Sequence, residues 1–277
     1  MDLPADSHTH TEWSWDALAG SMAGSCARAV ALGLPAIAFT EHLDFTPFRA
    51  GHLAETHGGL VTDGILVAPP FDVEGYLASV DSCRARYPGL RILTGLEVGQ
   101  PHLHGDLVAG VLARGRFDRV LGSLHCLPDG DALAEPFALF AHRDASSVLH
   151  DYLAEIPRMV AGSELFEIVT HIDYAVRSWP ESAGPFDPRD FEEGFRGALR
   201  AVADGDRVLE VNAKLPLDRR ILAWWREEGG RRVSFGSDGH EPETIGRGLA
   251  GVAAMARSLG FHPSADPADP WLITARG

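Results

Sequence analysis

The fold of this chain is constrained most by a repeated sequence pattern, in which a short apolar segment is followed directly by a histidine or an acidic residue. Such segments end at His42, Glu97, His125, His171 and Asp238. Stretches of helical composition lie between them, and strands that alternate with helices are predicted to run parallel and to be joined by crossovers. Since the carboxyl ends of parallel barrel strands meet at one face, we expect these side chains to lie close together.

The predicted elements follow one another along 277 residues with no change of composition that would mark a domain boundary. After a first strand that carries His8 and His10, strands are predicted at 36–41, 92–97, 119–124, 165–170, 207–212 and 233–238. Helices are predicted near 17–32, 72–87, 106–114, 146–161, 190–203, 218–228 and 245–259. Residues 43–70 are expected to form an irregular active-site loop, and those after His262 to close the domain. The order predicts one α/β domain over 1–277, a closed or nearly closed β/α barrel.

The first strand offers the start of a metal site. Residues i and i+2 of a strand project from the same face, so His8 and His10 can point at one ion. Asp16 follows in a loop, close enough in sequence to add a carboxylate. A His-x-His pair alone is weak evidence, because such pairs also occur on surface strands without a ligand. The further potential ligands at the other strand ends make a metal site the better interpretation.

Composition argues against several classes of function. The formal net charge of −15 disfavours a nucleic-acid partner, because binding a phosphate backbone needs clustered Lys and Arg. The 3 cysteines include no Cys-x-x-Cys pair, so neither a disulfide framework nor a thiolate zinc site is indicated. Neither a basic-then-apolar leader nor an apolar run of bilayer length occurs. We therefore expect a cytoplasmic protein without a membrane partner; the oligomeric state is left open.

As a set and in this order, the motifs resemble those of the polymerase and histidinol phosphatase (PHP) superfamily. The resemblance extends from His8 to about Gly248. It rests on His8-Thr9-His10, Thr40-Glu41-His42, Gly95-Leu96-Glu97, Gly122-Ser123-Leu124-His125, Thr170-His171 and Gly236-Ser237-Asp238-Gly239-His240. It implies a distorted seven-stranded (β/α)7 barrel and a trinuclear centre of divalent metals.

The resemblance also implies three metal sites, two of which share Glu97 as a ligand. Their ligands are His8, His10, Glu97 and Asp238 for the first, Glu97, His125 and His171 for the second, and Asp16, His42 and His240 for the third. Many family members have a histidine where this chain has Asp16, so the third site is expected to be harder and to favour a different ion. Mixed imidazole and carboxylate ligands suit zinc, manganese and iron.

Clustered cations of this kind favour phosphate ester hydrolysis, because they lower the pKa of a bridging water and neutralise the charge that develops on phosphate. We expect a bridging hydroxide to attack phosphorus while the metals hold the nonbridging oxygens. Catalytic roles are assigned to Glu97, Asp238 and His240 among the ligands. The sequence does not identify the group that protonates the leaving alkoxide.

A small phosphorylated substrate also needs a basic side chain, and an arginine fork suits phosphate geometrically. Arg177, shortly after His171, is the first candidate, followed by Arg247 and Lys214. For each of them an ordinary surface charge is the alternative. Glu41 is expected either to orient a ligand histidine or to form a salt bridge at the barrel rim.

The resemblance to the histidinol-phosphate phosphatase branch implies a metal-dependent phosphomonoesterase of histidine biosynthesis. Glu210-Val211-Asn212 matches that branch's Glu-x-Asn strand, whereas the following Leu215-Pro216-Leu217 departs from its Thr/Ser-Gly continuation. Another small phosphate ester or a nucleotide therefore stays open as the substrate. A metal-dependent amidohydrolase and a non-catalytic metal-binding module are the further alternatives.

Overall fold

Strands and helices alternate along the chain, as predicted, in a computed structural model that describes residues 3–273. The strands are β1 (Asp6–Thr9), β2 (Ala36–Leu43), β3 (Phe48–Arg49), β4 (Val61–Thr62), β5 (Ile65–Leu66), β6 (Arg91–Gly99), β7 (Arg119–Ser123), β8 (Leu127–Asp129), β9 (Ala132–Ala134), β10 (Ile168–Val169), β11 (Val208–Asn212), β12 (Arg232–Gly236), β13 (Phe261–His262) and β14 (Trp271–Ile273). The helices are α1 (Met22–Leu32), α2 (Leu53–Thr56), α3 (Val73–Arg86), α4 (Gly105–Leu112), α5 (Pro136–Leu139), α6 (Ala145–Gly162), α7 (Glu192–Asp204), α8 (Arg219–Glu227) and α9 (Leu249–Ser258).

A curled 9-stranded sheet, in the order β1-β2-β6-β7-β10-β11-β12-β14-β13, forms the centre of this α/β fold. Within this sheet, the seven strands from β1 to β12 pair in parallel, whereas β14 and β13 are added antiparallel at one edge. Beyond the end of β12, the Asp238 amide donates to the His8 carbonyl (2.9 Å), and the His10 amide donates to the Gly239 carbonyl (2.8 Å). These bonds bring the two ends of the parallel array together beside His8 and His10.

Two features of the sheet differ from the prediction. Residues after His262, expected only to close the domain, supply β14, which pairs with β12 and extends the sheet. The strand predicted at 165–170 is reduced to Ile168–Val169, because only these residues pair with β7 and β11. The α/β class is confirmed, but the central sheet is larger than the predicted set of strands.

A 5-stranded second sheet, in the order β4-β5-β3-β9-β8, comes from the predicted loop over 43–70 and from the segment between the predicted strand at 119–124 and the predicted helix at 146–161. Its strands are so short that they carry no readable alternation of apolar and polar residues. They form because distant segments pair: Arg49 of β3 lies in register with Ala134 of β9. The expectation of an irregular loop over 43–70 is wrong in this respect.

Glycines explain where two of the predicted helices begin and end. As predicted, α1 ends at Gly33, whose left-handed backbone (φ 69°) closes the last turn. The last helix was predicted from residue 245, but α9 begins at Leu249. The reason is that Gly246 and Gly248 adopt φ values of 74° and 77°, which are incompatible with a helix.

Buried aromatic side chains fix the helices on the sheet. The Tyr76 side chain of α3 is fully buried, and its hydroxyl donates to the Phe39 carbonyl (2.7 Å) and accepts from the Gly95 amide (2.9 Å). This contact joins α3 to β2 and β6 just before the ends of those strands, which carry His42 and Glu97. Over the range 3–273, no helix has both the length and the apolar character that crossing a bilayer needs.

Candidate metal centre

The Glu97 carboxylate lies at the centre of the predicted ligands. Its side chain is 1% exposed near the end of β6. The Oε1 atom lies 2.8 Å from His171 Nε2 and 3.2 Å from His125 Nε2. The Oε2 atom lies 3.1 Å from His8 Nε2 and 3.2 Å from His10 Nε2. The Oε2 atom is also 3.4 Å from His42 Nδ1. The two oxygens therefore face separate groups of imidazoles, an arrangement suited to a carboxylate that two metal ions share.

Hydrogen bonds fix the ring orientation of His8 and His10. The His8 Nδ1–H donates to Glu210 Oε1 (2.7 Å). The hydroxyl of Ser14 donates to Glu41 (2.7 Å), so the contact between His10 Nδ1 and Ser14 Oγ (3.0 Å) needs the ring as donor. Both Nε2 atoms are thereby directed at each other, 3.0 Å apart, and at Glu97. A positive charge, whether a proton or a metal ion, is needed between them.

The predicted third site lies next to these residues. Asp16 Oδ2 is 3.3 Å from His42 Nε2 and 3.0 Å from His240 Nε2. The other oxygen, Oδ1, is buried without a hydrogen-bond partner in the part of the chain that the structure describes. An unpaired buried carboxylate oxygen is costly unless a cation binds it. Asp238 connects the two regions, with Oδ1 3.7 Å from His10 Nε2 and 3.5 Å from His240 Nδ1.

Metal ligands must be deprotonated, and the proposed ligands divide into two groups in this respect. Burial, and then the charges of His240 and His42, hold the pKa of His10 well below its usual value. Burial followed by the charge of Arg177 lowers the pKa of His171 to about 4. Burial opposes ionisation of Glu97, but the neighbouring histidines outweigh it and hold the carboxyl pKa well below its usual range. Burial opposes protonation of His8, His42 and His125, but the neighbouring carboxylates outweigh it and raise the pKa of all three, that of His125 to about 9. These histidines therefore hold protons that a bound metal ion would displace.

A second layer of carboxylates holds the ligands in place. Besides binding His8, Glu210 accepts from the His171 backbone amide (2.8 Å) and so joins two strand ends. A side chain at Gly236 would collide with Glu210 and His8, which gives a physical reason for the glycine in that motif. Glu41 acts on His10 through Ser14. This contact matches the first of the two alternatives predicted for Glu41, the orientation of a ligand histidine.

Asp44 is a site residue that the sequence reasoning missed. Its carboxylate accepts a hydrogen bond from Trp15 Nε1 (2.9 Å) and lies 3.5 Å from His42 Nδ1 and 3.9 Å from His125 Nδ1. Asp44 therefore faces the ring nitrogens of two predicted ligands from different metal sites. The signal was its position two residues after His42, which places both on one face of an extended segment.

The ligand cluster opens into a cavity of about 740 Å³, counting its open mouth. Two of the proposed phosphate-binding residues line it: Arg177 Nη2 lies 2.7 Å from Asp238 Oδ2, and Lys214 Nζ lies 3.3 Å from Asp238 Oδ1. Arg247 is exposed and is not among the lining residues; it lies between Gly246 and Gly248, which both have left-handed backbone conformations. The structure thus brings two of the three predicted basic residues to the cavity.

Sequence comparison decides the family. The profile of the PHP domain matches residues 6–214, about three quarters of the chain. The chain belongs to the PHP domain family. The predicted resemblance is thereby confirmed, and the matched range contains the predicted ligands from His8 to His171.

The chain is also similar to two proteins that are named as histidinol-phosphatases. A probable histidinol-phosphatase of Clostridium acetobutylicum is 23% identical over 204 residues, which are 70% of this chain and 76% of that protein. The histidinol-phosphatase of Lactococcus lactis is 23% identical over 242 residues, covering 84% of this chain and 83% of that protein.

Solved structures of two histidinol phosphatases show the same fold. One is the histidinol phosphate phosphatase of Lactococcus lactis, crystallised with zinc, L-histidinol and phosphate; its TM-score is 0.79 at 21% identity, covering 98% of this chain and 99% of that one. The putative histidinol phosphatase of Listeria monocytogenes has a TM-score of 0.72 at 20% identity, covering 89% and 99%. At these identities the likeness establishes the fold alone.

Proposed function

We propose that this chain is a metal-dependent phosphomonoesterase that hydrolyses histidinol phosphate to histidinol and phosphate in histidine biosynthesis. The observation that carries the proposal is the position of Glu97, with each carboxylate oxygen within about 3.2 Å of two imidazole nitrogens. Similarity to two proteins named as histidinol-phosphatases supports the substrate. The Lactococcus lactis crystal structure, which contains L-histidinol and phosphate, supports it further.

Three divalent ions are part of the proposal. The first is held by His8, His10, Glu97 and Asp238, the second by Glu97, His125 and His171, and the third by Asp16, His42 and His240. Zinc is the first candidate because the relative was crystallised with it, and manganese and iron suit the same donors. The whole chain, residues 1–277, is proposed to act as one domain, built on a distorted (β/α)7 barrel of the parallel strands.

Bound divalent cations supply hydroxide near neutral pH and neutralise the charge that develops on a phosphoryl group. The residues of the chain orient the substrate. Arg177 Nε is buried without a hydrogen-bond partner within residues 3–273, so this guanidinium retains a donor for a phosphate oxygen. Lys214 is about half exposed and provides a second cation at the same edge of Asp238. Arg247 is left out of the proposed phosphate site because it is exposed away from the cavity.

Glu97, Asp238 and His240 are the proposed catalytic residues. Glu97 positions the two inner sites against each other. Burial opposes ionisation of Asp238, but Arg177 and then Lys214 keep its pKa well below the usual range. The ionised carboxylate therefore lies between the cluster and the basic side chains. His240 contacts both Asp16 and Asp238, and so links the third site to the first.

The proposal is tested by phosphate release from manganese- or zinc-loaded protein. The substrates are L-histidinol phosphate, 4-nitrophenyl phosphate and a nucleoside monophosphate, with Glu97→Ala as the control variant. We expect selective turnover of histidinol phosphate that the control lacks. If only the other esters are hydrolysed, the chain is a phosphatase but its assignment to histidine biosynthesis is wrong. No release from any ester would contradict phosphatase activity and favour the amidohydrolase or non-catalytic alternatives.

A further inference from the structure

One acidic side chain of the cavity is left without a role by the proposed metal centre. Glu135 lines the cavity from the second sheet, between the end of β9 and the start of α5. It occupies the N-cap position of α5, yet its side chain does not cap that helix. Within residues 3–273 its carboxyl group makes no hydrogen bond and no salt bridge with the protein. The group is therefore available to a ligand in the cavity.

The surroundings of Glu135 differ from those of the basic residues. Trp15, Phe48 and Tyr174 line the same cavity and give it an aromatic wall. Tyr174 and Cys126 line the cavity together with Glu135. Burial, and after it the Glu135 charge, raises the pKa of the Tyr174 hydroxyl and of the Cys126 thiol well above their usual values. Burial also raises the pKa of Glu135 to about 7, against the opposing charge of His125 in the ligand cluster. A carboxylate in such surroundings is stabilised when a cation pairs with it.

The charges of the cavity are thus divided. Arg177 and Lys214 both pair with Asp238 beside the ligand cluster, where a phosphoryl group is proposed to bind. Neither pairs with Glu135, which is carried by the second sheet instead. A substrate that satisfies both regions has an anionic phosphoryl group and a cationic group elsewhere in the molecule.

We infer that Glu135 binds an ammonium group on the leaving alcohol, and that the site thereby selects phosphomonoesters of amino alcohols. The inference rests on the proposed phosphatase function and adds a specificity-determining residue to it. L-Histidinol phosphate, which carries a primary amine, belongs to this class. Glu135 is not required for hydrolysis itself, so esters without an amine are hydrolysed independently of it.

The test compares the metal-loaded wild type with Glu135→Gln, which keeps the shape of the side chain and removes its charge. Two quantities report on the subsite: KM for L-histidinol phosphate, and the inhibition constant of L-histidinol against 4-nitrophenyl phosphate hydrolysis. We expect both to rise about 10- to 100-fold in the variant, the range for losing a hydrogen bond to a charged group. The kcat and KM for 4-nitrophenyl phosphate are expected to change less than about 3-fold, within the scatter of surface substitutions.

Asp131→Asn is the matched control, because it removes one negative charge next to β9 from a side chain that is 95% exposed. It should change none of these constants. A second comparison needs no variant. N-acetyl-L-histidinol, whose acetylated amine carries no charge, should inhibit the wild type at least about 10-fold more weakly than L-histidinol.

Three results would overturn the inference. The first is that the ammonium group makes no difference to binding: either L-histidinol inhibits Glu135→Gln with the wild-type inhibition constant, or N-acetyl-L-histidinol inhibits the wild type as strongly as L-histidinol does. The second is a fall in kcat with KM unchanged, which would make Glu135 a proton donor. The third is an equal loss with both esters, which would make its role structural. Failure of the proposed function can be told apart from failure of this inference. If the wild type hydrolyses only 4-nitrophenyl phosphate, the proposed substrate is wrong, but inhibition of that reaction by L-histidinol still measures the role of Glu135.

Discussion

The inner and outer parts of the ligand cluster are built differently. At the inner part, the side chains of His8, His10 and Glu97 are at most 1% exposed, and the strands β1 and β6 carry or directly precede them. At the outer part, Asp16 and His240 are 23% and 22% exposed and lie in loops. The comparison teaches that the register of the sheet fixes the inner ligands, whereas two of the three outer ligands depend on loop conformation and are partly exposed. The third outer ligand, His42, lies in β2 and is 8% exposed.

The same contrast holds for the residues behind the ligands. Glu210 binds both His8 and the backbone of His171, so one buried carboxylate holds two inner ligands. Asp16 has an unpaired carboxylate oxygen instead. Partners behind a ligand typically change metal affinity 10- to 100-fold. We therefore expect the inner pair of ions to be bound more tightly than the third ion.

The largest effect is expected for Glu97→Gln, which removes the charge shared by the inner sites and keeps the shape of the side chain. The activity should fall by more than about 100-fold, beyond the range for residues behind a ligand. The inner ions should be lost as well, as measured by elemental analysis of the dialysed protein together with kcat/KM. Glu167→Gln, at a side chain that is 52% exposed, is the control. A Glu97→Gln protein with its full metal content would contradict the assignment.

A smaller effect is expected for Asp16→Asn, which changes only the outer site. We expect the variant to lose one ion per chain, to retain the inner pair, and to lose about 10-fold to 100-fold in activity. Metal content and kcat/KM are again the measurements. If this variant loses all its ions together, the sites do not differ in the way that burial indicates.

Sequence reasoning predicted the inner part of the cluster better than its surroundings. His8, Glu97 and His171 could be found because each lies at or near the end of a strand that the apolar pattern marks. The structure brings them together as predicted, although their role as metal ligands stays a prediction. Glu135 was missed because it follows β9, whose conformation depends on pairing between distant parts of the chain. Asp44 directly follows β2 and was missed although its position two residues after His42 was a local signal.

The fold shows the same division. The parallel strands, in their order along the chain, could be predicted from local patterns of apolar residues and from the glycines that end helices. The second sheet does not, since β3 is only two residues long and is stabilised by pairing with β5 and β9. Arg247 shows the limit of the prediction for single residues: it is close to Asp238 in sequence, yet it is exposed and does not line the cavity.

Anomalous diffraction at the zinc edge, from crystals of zinc-loaded protein, tests the central claim most directly. We predict two peaks that both lie within coordination distance of the Glu97 carboxylate, one beside His8 and His10 and the other beside His125 and His171. A third peak should lie at Asp16 and weaken first when a chelator is added. A single peak, or peaks that Glu97 does not contact, would contradict the account.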